Sequence, residues 1–183
     1  IKGIIDTQYK KKDINEKILN YNILGSINFL NNLNIKNCNF FIAIGDNKKR
    51  ALIFKKYNKK LNFINLIHTT SNISKDIKFQ NQNIFIGKNV IINLGTQIAE
   101  NTIINTGSII EHECIIDKNT NICPGVKIGG RTKIGNNCFV GIGSSIIDKV
   151  TIKNNVVIGA GSVVIKNLGS NCTFAGSPAK KIK

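Results

Sequence analysis

The sequence IGKNVIINLGTQIAENTIINTGSII, residues 86–110, has isoleucine at every sixth position. The same spacing continues without interruption to Val164, always with isoleucine or valine. A second column with this period lies two residues earlier, from Ile84 to Ser162, and consists mainly of Thr, Ser, Cys and Val. A six-residue repeat of this kind is typical of a parallel β-helix, in which each coil stacks its branched side chains on those of the next coil.

The repeat differs from the periods of the common secondary structures. An amphipathic α-helix needs apolar spacings of three and four, and a half-buried strand alternates by two. β-Branched side chains fill inward positions well, and the small residues of the second column leave room for them. Polar triplets such as Gly135-Asn136-Asn137 suit tight corners. Three short faces close one coil, so we expect residues eighteen apart to stack; a β-sandwich with coincidental spacing is the alternative.

Composition limits the possible partners. The chain has 183 residues and a formal net charge of +16, which comes almost entirely from lysine. The lysines are scattered among Asn and Ile without an aromatic-interleaved patch, so we predict no nucleic-acid partner. Such a charge favours small polyanionic ligands, for example coenzyme A or nucleotide diphosphates. The length allows one medium domain and a smaller one.

The cysteines and the apolar runs bear on location. The five cysteines form no C-x-x-C pair, and Cys114 and Cys138 fall in the small inward column. Cysteine acts there as a small hydrophobe, so we predict no disulfide framework and a cytoplasmic location. The sequence contains no signal peptide and no apolar run near twenty residues, so we predict no membrane span.

Residues 1–70 lack the six-residue repeat. The apolar run at residues 40–45 predicts a buried parallel strand, Asp46 is predicted to cap a helix that ends at Lys60, and residues 63–67 predict a second strand. Strand, helix and strand together predict a small α/β domain. We therefore divide the chain into a partial α/β domain, residues 1–70, and a β-helix domain, residues 71–183. The start of the chain lacks the strand and glycine-rich turn of a doubly wound domain, which predicts that the first β-α unit is missing.

The strongest candidate for chemistry is Glu111-His112-Glu113, at one corner of the predicted β-helix. Most of the other corner triplets consist of Gly, Asn, Asp, Lys or small residues. An imidazole beside a carboxylate is the usual arrangement of a general base at neutral pH. An exposed histidine with solvated glutamates is the alternative. The second histidine, His68, is interpreted as a structural or surface residue.

Gly130 lies eighteen residues after His112 and should stack beside it. A glycine at that place lets a ligand carbonyl approach a backbone N–H, which is the geometry of an oxyanion site. An ordinary corner glycine is the other interpretation. No metal centre is predicted, because the hexapeptide carbonic anhydrases need three histidines and this chain has two.

These features resemble a known family. The repeat, the His112-Glu113 corner and the closing Gly176-Ser177-Pro178-Ala179-Lys180 are similar to the hexapeptide-repeat acyltransferases, within the sialic-acid O-acetyltransferase-like family of sugar acetyltransferases. The resemblance covers the chain from about residue 1 to its end. It is closest to the bacterial UDP-4-amino-sugar N-acetyltransferases of bacillosamine synthesis, on residues 40–45, 65–68 and 110–114. The resemblance implies a mainly β fold: a left-handed parallel β-helix preceded by a small, N-terminally incomplete Rossmann-like domain that binds the nucleotide sugar.

The resemblance also implies an activity. It is acetyl transfer from acetyl-CoA to the 4-amino group of a UDP-linked sugar, by a homotrimer without a metal. His112 would be the general base, Glu113 would orient it, and the backbone of Gly130 would hold the thioester oxygen. O-acetylation of a sialic acid or another sugar is the alternative, and a non-catalytic β-helix scaffold is a third interpretation.

Further positions carry over from the same resemblance. Those implied to bind acetyl-CoA, in addition to Gly130, are Asn105, Asn121, Ile142 and Ala160. Those implied to lie near the nucleotide sugar are Asp6, Thr7 and Gly45. Asn121 stands where relatives often carry histidine, and Ala160 stands where they carry glycine.

Overall fold

The computed structural model describes residues 1–9, 17–31, 38–77, 79 and 83–183. The chain forms two compact units, Ile1–Cys38 and Asn39–Lys183. In the first unit, β1 (Ile4–Ile5) pairs in parallel with β3 (Tyr21–Gly25), and β2 (Lys17–Ile18) pairs with β3 in antiparallel. A 3-10 helix, Ile27–Asn31, follows β3.

The second unit begins with the predicted strand–helix–strand motif. Its elements are β4 (Asn39–Phe40), α1 (Asn47–Tyr57) and β5 (Asn62–Phe63), and the two strands pair in parallel. The strand predicted over residues 40–45 is too long. Beyond Phe40 the backbone turns to other partners, because the Ile42 N–H donates to Asn83 Oδ1 over 2.7 Å instead of joining a ladder.

Helix α1 starts as predicted and ends early. Asp46 Oδ1 accepts from the Lys49 N–H over 2.8 Å, so Asp46 is the N-cap. The helix ends at Tyr57 instead of Lys60, where the N–H groups of Lys60 and Leu61 both donate to the Tyr57 carbonyl in a tight turn.

The rest of the second unit is a parallel β-solenoid built from very short strands. In chain order the strands are β6 (Leu66–Ile67), β7 (Asn72–Ile73), β8 (Phe85–Ile86), β9 (Ile91–Ile92), β10 (Gln97–Ile98), β11 (Ile103–Ile104), β12 (Ile109–Ile110), β13 (Ile115–Ile116), β14 (Asn121–Ile122), β15 (Lys127–Ile128), β16 (Lys133–Ile134), β17 (Phe139–Val140), β18 (Ser145–Ile146), β19 (Thr151–Ile152), β20 (Val157–Ile158), β21 (Val163–Val164), β22 (Thr173–Ala175) and β23 (Lys180–Lys181).

These strands form three sheets. The first sheet has the order β23-β22-β20-β17-β14-β11-β8-β6, the second β21-β18-β15-β12-β9-β7, and the third β10-β13-β16-β19. Within the repeat, each strand pairs in parallel with the strand eighteen residues away; Ile104, for example, pairs with Ile86 and Ile122. The predicted stacking interval is therefore confirmed.

Both predicted columns point inward. Every residue of the isoleucine/valine column from Ile86 to Val164 is at most 3% exposed, and the same holds for the column from Ile84 to Ser162. Full burial of each large aliphatic side chain contributes roughly 1.5–3 kcal/mol, so this continuous ladder is the main source of stability. The small hydroxyls are also satisfied, since Thr120 Oγ1 donates to the Gly135 carbonyl over 2.9 Å.

The turns between the sheets form three corners, which we name here. The Asn105 corner joins the first sheet to the second, the His112 corner joins the second to the third, and the asparagine corner joins the third back to the first. At the asparagine corner, Asn101, Asn119 and equivalent residues in other coils adopt positive φ. Asparagine tolerates this conformation better than other non-glycine residues, which explains the Asn-rich sequence.

The first coil of the solenoid starts earlier than the repeat. Residues 63–67, predicted as one strand, are divided: Phe63 ends β5, whereas Leu66 and Ile67 pair with Phe85 and Ile86 of the first sheet. The domain boundary at residue 70 stays a prediction.

A buried arginine holds α1 against the solenoid. Arg50 is fully buried. Its guanidinium donates to the carbonyls of Ile44, Gly45, Asn101 and Asn119 over 3.0–3.1 Å, and to Asn47 Oδ1 over 2.8 Å. Burial lowers the pKa of Arg50 to about 10, so it remains charged at neutral pH.

Arg50→Leu is therefore expected to destabilise the protein strongly. Each buried carbonyl left without its donor costs roughly 1–3 kcal/mol. A total loss of about 3 kcal/mol would lower the melting temperature by roughly 6–12 °C for a chain of this size. The matched control is Lys49→Leu at the exposed neighbouring position, which should melt as the unsubstituted protein does. Equal melting of the two variants would contradict this role.

Candidate active site

His112 lies in the turn between β12 and β13, at the corner where the sequence predicted it. Ile110 and Cys114 on either side point into the core, so the intervening residues form the outward corner. Glu113 adopts φ of 57°, which closes the turn. The His112 side chain is about half exposed, and its imidazole is therefore accessible to a ligand.

The imidazole lies directly against the backbone of Gly130. A Cβ atom placed on Gly130 would be 2.5 Å from His112 Nε2 and 2.8 Å from Cε1. Among the described residues, the Gly130 N–H donates no hydrogen bond. The predicted stacking of this glycine on the histidine is thus confirmed, and Gly130 itself is buried.

Glu113 holds the other side of the ring. Its Oε2 lies 3.1 Å from His112 Nδ1 and 2.8 Å from Arg131 Nε. The hydrogen bond from Arg131, followed by that from His112, lowers the pKa of the Glu113 carboxyl below its usual value. With Nδ1–H donating to this carboxylate, Nε2 carries the lone pair and faces Gly130. The arrangement can accept a proton at Nε2.

Arg131 was not among the predicted site residues. It lies eighteen positions after Glu113, so the same stacking interval that linked His112 to Gly130 also placed Arg131 on Glu113. That interval was the signal that could have identified it.

The other flanking carboxylate has a different partner. Glu111 Oε2 accepts from Asn93 Nδ2 over 2.8 Å, one coil away. Of the two glutamates in the Glu-His-Glu motif, only Glu113 therefore contacts the imidazole among the described residues.

Three of the predicted acetyl-CoA positions lie at the Asn105 corner. Asn105 Oδ1 accepts from the Thr106 N–H over 2.8 Å, and Ile142 and Ala160 are exposed one above the other. This corner and the His112 corner are at opposite ends of the second-sheet strands. Within one chain, these residues and His112 therefore lie at different corners of the coil.

Asn121 and Gly45 meet away from His112. Asn121 in β14 is buried, and its Nδ2 donates to the Gly45 carbonyl over 3.2 Å. Its Oδ1 has no hydrogen-bond partner in the described part of the chain. The structure thus joins one position predicted for acetyl-CoA to one predicted for the sugar nucleotide.

The two other predicted sugar-nucleotide residues belong to the first unit. The Asp6 N–H donates to the Gly25 carbonyl over 3.0 Å, and Asp6 Oδ1 accepts from the Gln8 N–H over 2.9 Å. Thr7 is exposed in the intervening turn. These contacts form a surface loop at the end of β1.

One groove of the second unit is separate from the histidine. It has a volume of about 1360 Å³ and lies between α1 and the solenoid coils; residues such as Leu52, Phe139 and Val157 line it. Gly45 borders it, whereas His112 does not. The groove is therefore not the site of the predicted proton transfer.

The remaining predictions concern His68, the cysteines, a metal centre and a membrane span. His68 is exposed, with Nδ1 3.0 Å from Thr70 Oγ1, as expected of a surface residue. The five cysteines are all in described segments, and none is in a disulfide. No group of three or more potential metal ligands occurs in the described ranges. No helix among those ranges has the length and apolar character needed to traverse a bilayer.

Comparisons with known proteins agree with this geometry. Residues 131–166 match the family described as bacterial transferase hexapeptide (six repeats), and residues 1–57 match the PglD N-terminal domain. Perosamine N-acetyltransferase from Caulobacter crescentus, solved as a histidine-to-asparagine variant with CoA and GDP-perosamine, is 27% identical; the match covers 99% of this chain and 84% of that chain with a TM-score of 0.92. The chain is an acyltransferase that contains a hexapeptide repeat, and it is similar to sugar N-acetyltransferases.

Two further structures are similar to this acetyltransferase. PerB from Caulobacter crescentus, also with CoA and GDP-perosamine, is 28% identical over 91% of this chain and 81% of that chain, with a TM-score of 0.87. The acetyltransferase domain of PglB from Neisseria gonorrhoeae FA1090, in complex with acetyl coenzyme A, is 24% identical over 98% of this chain and 85% of that chain, with a TM-score of 0.92. The last similarity concerns the fold. The predicted fold class, a repeat β-helix preceded by a Rossmann-like domain, is confirmed.

Proposed function

We propose that the acetyltransferase moves the acetyl group of acetyl-CoA directly to the 4-amino group of a UDP-linked amino sugar. The observation that carries this proposal is the imidazole of His112. Its Nδ1 is held 3.1 Å from Glu113 Oε2, and its Nε2 lies against Gly130, whose N–H donates no hydrogen bond to the residues that the structure describes. A base and an oxyanion donor at one place are the two groups that amine acylation requires.

The reaction follows from these groups. The sugar amine attacks the thioester carbon while His112 Nε2 takes a proton from the amine. The Gly130 N–H stabilises the negative oxygen, and collapse of the intermediate breaks the carbon–sulfur bond. The proton then passes from the imidazolium to the coenzyme A thiolate. Glu113 stabilises the imidazolium through Nδ1–H, as a carboxylate does in other histidine-based sites.

Acetyl-CoA as the donor is supported by the related structures, which contain CoA or acetyl coenzyme A. Among the residues of this chain, Gly130 contributes the N–H described above. We assign Asn105, Ile142 and Ala160 to the same ligand. Asn121 would affect acetyl-CoA binding indirectly, because the Asn121 side-chain amide donates to the Gly45 carbonyl over 3.2 Å. We infer no resident metal.

A homotrimer would resolve the separation of the two corners. Because His112 and the Asn105 corner lie at opposite ends of the second sheet, acetyl-CoA that reaches both would lie between the His112 corner of one chain and the Asn105 corner of its neighbour. We therefore propose three copies around one axis, with a site at each interface. We place the reaction in the cytoplasm, where acetyl-CoA and nucleotide sugars are made.

Asp6, Thr7 and Gly45 remain the nucleotide-sugar positions that the resemblance implies; Asp6 and Thr7 belong to the first unit and Gly45 to the second. A Cβ atom placed on Gly45 would lie more than 4 Å from every described heavy atom beyond its two chain neighbours. A ligand can therefore approach the Gly45 backbone. The related perosamine enzyme was solved with a GDP-linked sugar. The choice of UDP follows the resemblance in residues 40–45, 65–68 and 110–114, and it needs a direct test.

The test offers three acceptors to the purified protein with acetyl-CoA. They are a UDP-linked 4-amino sugar, its GDP-linked counterpart and a free sialic acid. We expect kcat/KM for the UDP-linked amine to exceed that for sialic acid by roughly 100-fold or more, because a site that binds the amine and the nucleotide loses those contacts with sialic acid. Thiol release gives the rate, and mass spectrometry identifies the product.

Treatment of the product with mild alkali separates the two chemistries. An O-acetyl ester is cleaved and an N-acetyl amide survives. An alkali-labile product, or a preference for sialic acid, would replace the proposal with sugar O-acetylation. A preference for the GDP-linked amine would keep N-acetylation and correct the nucleotide.

A further inference from the structure

Glu113 and Arg131 occupy equivalent positions in successive coils. They are eighteen residues apart, and their φ angles are 57° and 59°. The Glu113 N–H donates to the Leu94 carbonyl over 2.9 Å, and the Arg131 N–H donates to the His112 carbonyl over 2.8 Å. The backbone therefore fixes both Cα positions before the side chains interact.

The Glu113 side chain is confined from two sides. On one side is Gly95, where a Cβ would lie 3.1 Å from Glu113 Cγ. On the other side, Arg131 Nε lies 2.8 Å from Oε2. The same oxygen lies 3.1 Å from His112 Nδ1. One carboxylate oxygen is thus shared by the histidine and the arginine.

The other charged groups of this corner have their own partners. Glu111 accepts from Asn93, and Lys149 pairs with Asp148 over 3.7 Å in the next coil. Within the described part of the second unit, Arg131 is the cation that contacts Glu113. Its hydrogen bond is also the largest cause of the lowered pKa of Glu113.

We propose that Arg131 is a positioning residue of the acetyl transfer: it fixes Glu113 Oε2 toward His112 Nδ1 and offsets part of the carboxylate charge that acts on the imidazole. This inference rests on the proposed function of His112 as the base. The ion pair is about half exposed, so its effect on overall stability is small. Its effect on the histidine is local and does not depend on burial of the pair.

The direction of the electrostatic effect follows from the charges. Arg131 is the first cause of the lowered pKa of the Glu113 carboxyl. Without Arg131 this pKa rises toward its usual value, so the carboxylate that holds His112 becomes protonated at a higher pH. The acid limb of activity should therefore move to higher pH when Arg131 is removed.

The experiment compares Arg131→Gln, Arg131→Lys and the matched control Lys149→Gln, which alters the equivalent position one coil further. In Arg131→Gln we expect kcat to fall about tenfold, because a misplaced catalytic group reduces the rate. The acid limb of the kcat/KM profile should shift to higher pH. KM for acetyl-CoA and the melting temperature should stay unchanged. In Arg131→Lys, the acid limb of the kcat/KM profile should return to its position in the unsubstituted protein. Lys149→Gln should have the kinetics of the unsubstituted protein.

Two kinetic results would overturn the proposal. If kcat and the acid limb of the kcat/KM profile are unchanged in Arg131→Gln, the contact between Glu113 and Arg131 has no role in catalysis. A raised KM with an unchanged pH limb would make Arg131 a direct substrate contact.

A substrate-free measurement separates this inference from the proposed function. The chain has two histidines, so His68→Asn assigns the two imidazole signals in proton NMR. At one fixed pH, the His112 signal should change its position in Arg131→Gln and keep its position in Lys149→Gln. If no acceptor is acetylated and this NMR change is still present, the proposed acceptor is wrong, whereas the influence of Arg131 on His112 through Glu113 is supported. An absent NMR change overturns that influence whatever the substrate.

Discussion

His112→Asn is expected to lower kcat by roughly 10²–10⁴-fold, the usual contribution of a positioned general base. Asparagine retains polarity and approximate size but accepts no proton near neutral pH, so the amine would have to attack without a base. Binding of acetyl-CoA should be nearly unchanged, because the imidazole acts on the acceptor amine. Steady-state kinetics give kcat, and calorimetry gives the affinity for acetyl-CoA.

The second histidine provides the control for this prediction. His68 is exposed and contacts Thr70 in the turn after β6, so His68→Asn should retain full activity. Retention of most activity in His112→Asn would remove the general base from the mechanism. Loss of acetyl-CoA binding in that variant would instead assign His112 to the cofactor.

Gly130→Ala is expected to reduce kcat by roughly 10–100-fold without a loss of stability. The new Cβ would lie 2.5 Å from His112 Nε2, so the ring must move from its place beside Glu113. A displacement of about 1 Å at a catalytic group can reduce the rate 10²-fold. Gly130 does not have a positive φ, so alanine fits its backbone and the imidazole is the obstacle.

Gly169→Ala is the matched control for this substitution. A Cβ at Gly169 meets no atom within 4 Å, and its φ is also outside the left-handed region. This variant should keep the activity and the melting temperature. If Gly130→Ala were as active as Gly169→Ala, the position of the ring against Gly130 would not matter for catalysis. The neighbouring Gly129 is unsuitable, because a Cβ there would lie 2.4 Å from the Asp148 backbone nitrogen and would disturb the coil itself.

The fold of the repeat could be predicted almost completely from the sequence. Both inward columns are buried as predicted, and the interval of eighteen residues is the observed register. The reason is that each coil contacts the coils next to it, so a local pattern is also the tertiary pattern. The cap at Asp46 was predictable for the same reason, since its partner is the N–H of Lys49 three residues later.

The segment before the repeat was less predictable. The apolar run of residues 40–45 suggested a full strand, but Ile42 bonds to Asn83, and Arg50 takes the carbonyls of Ile44 and Gly45. These partners are distant in sequence or come from a buried charged side chain. Hydrophobic patterning does not predict such contacts, because they depend on which polar groups meet after packing.

The sequence by itself determined the solenoid, its core and the location of His112 at an outward corner, because a strict period of six leaves one arrangement of inward and outward positions. Only the tertiary structure decided which groups serve that histidine. It placed Glu113 Oε2 between the imidazole and Arg131, and it left Glu111 to Asn93. The interval of eighteen residues brings Arg131 to Glu113 and Asn93 to Glu111, but side-chain rotamers decide which carboxylate turns to the imidazole, and spacing does not determine rotamers.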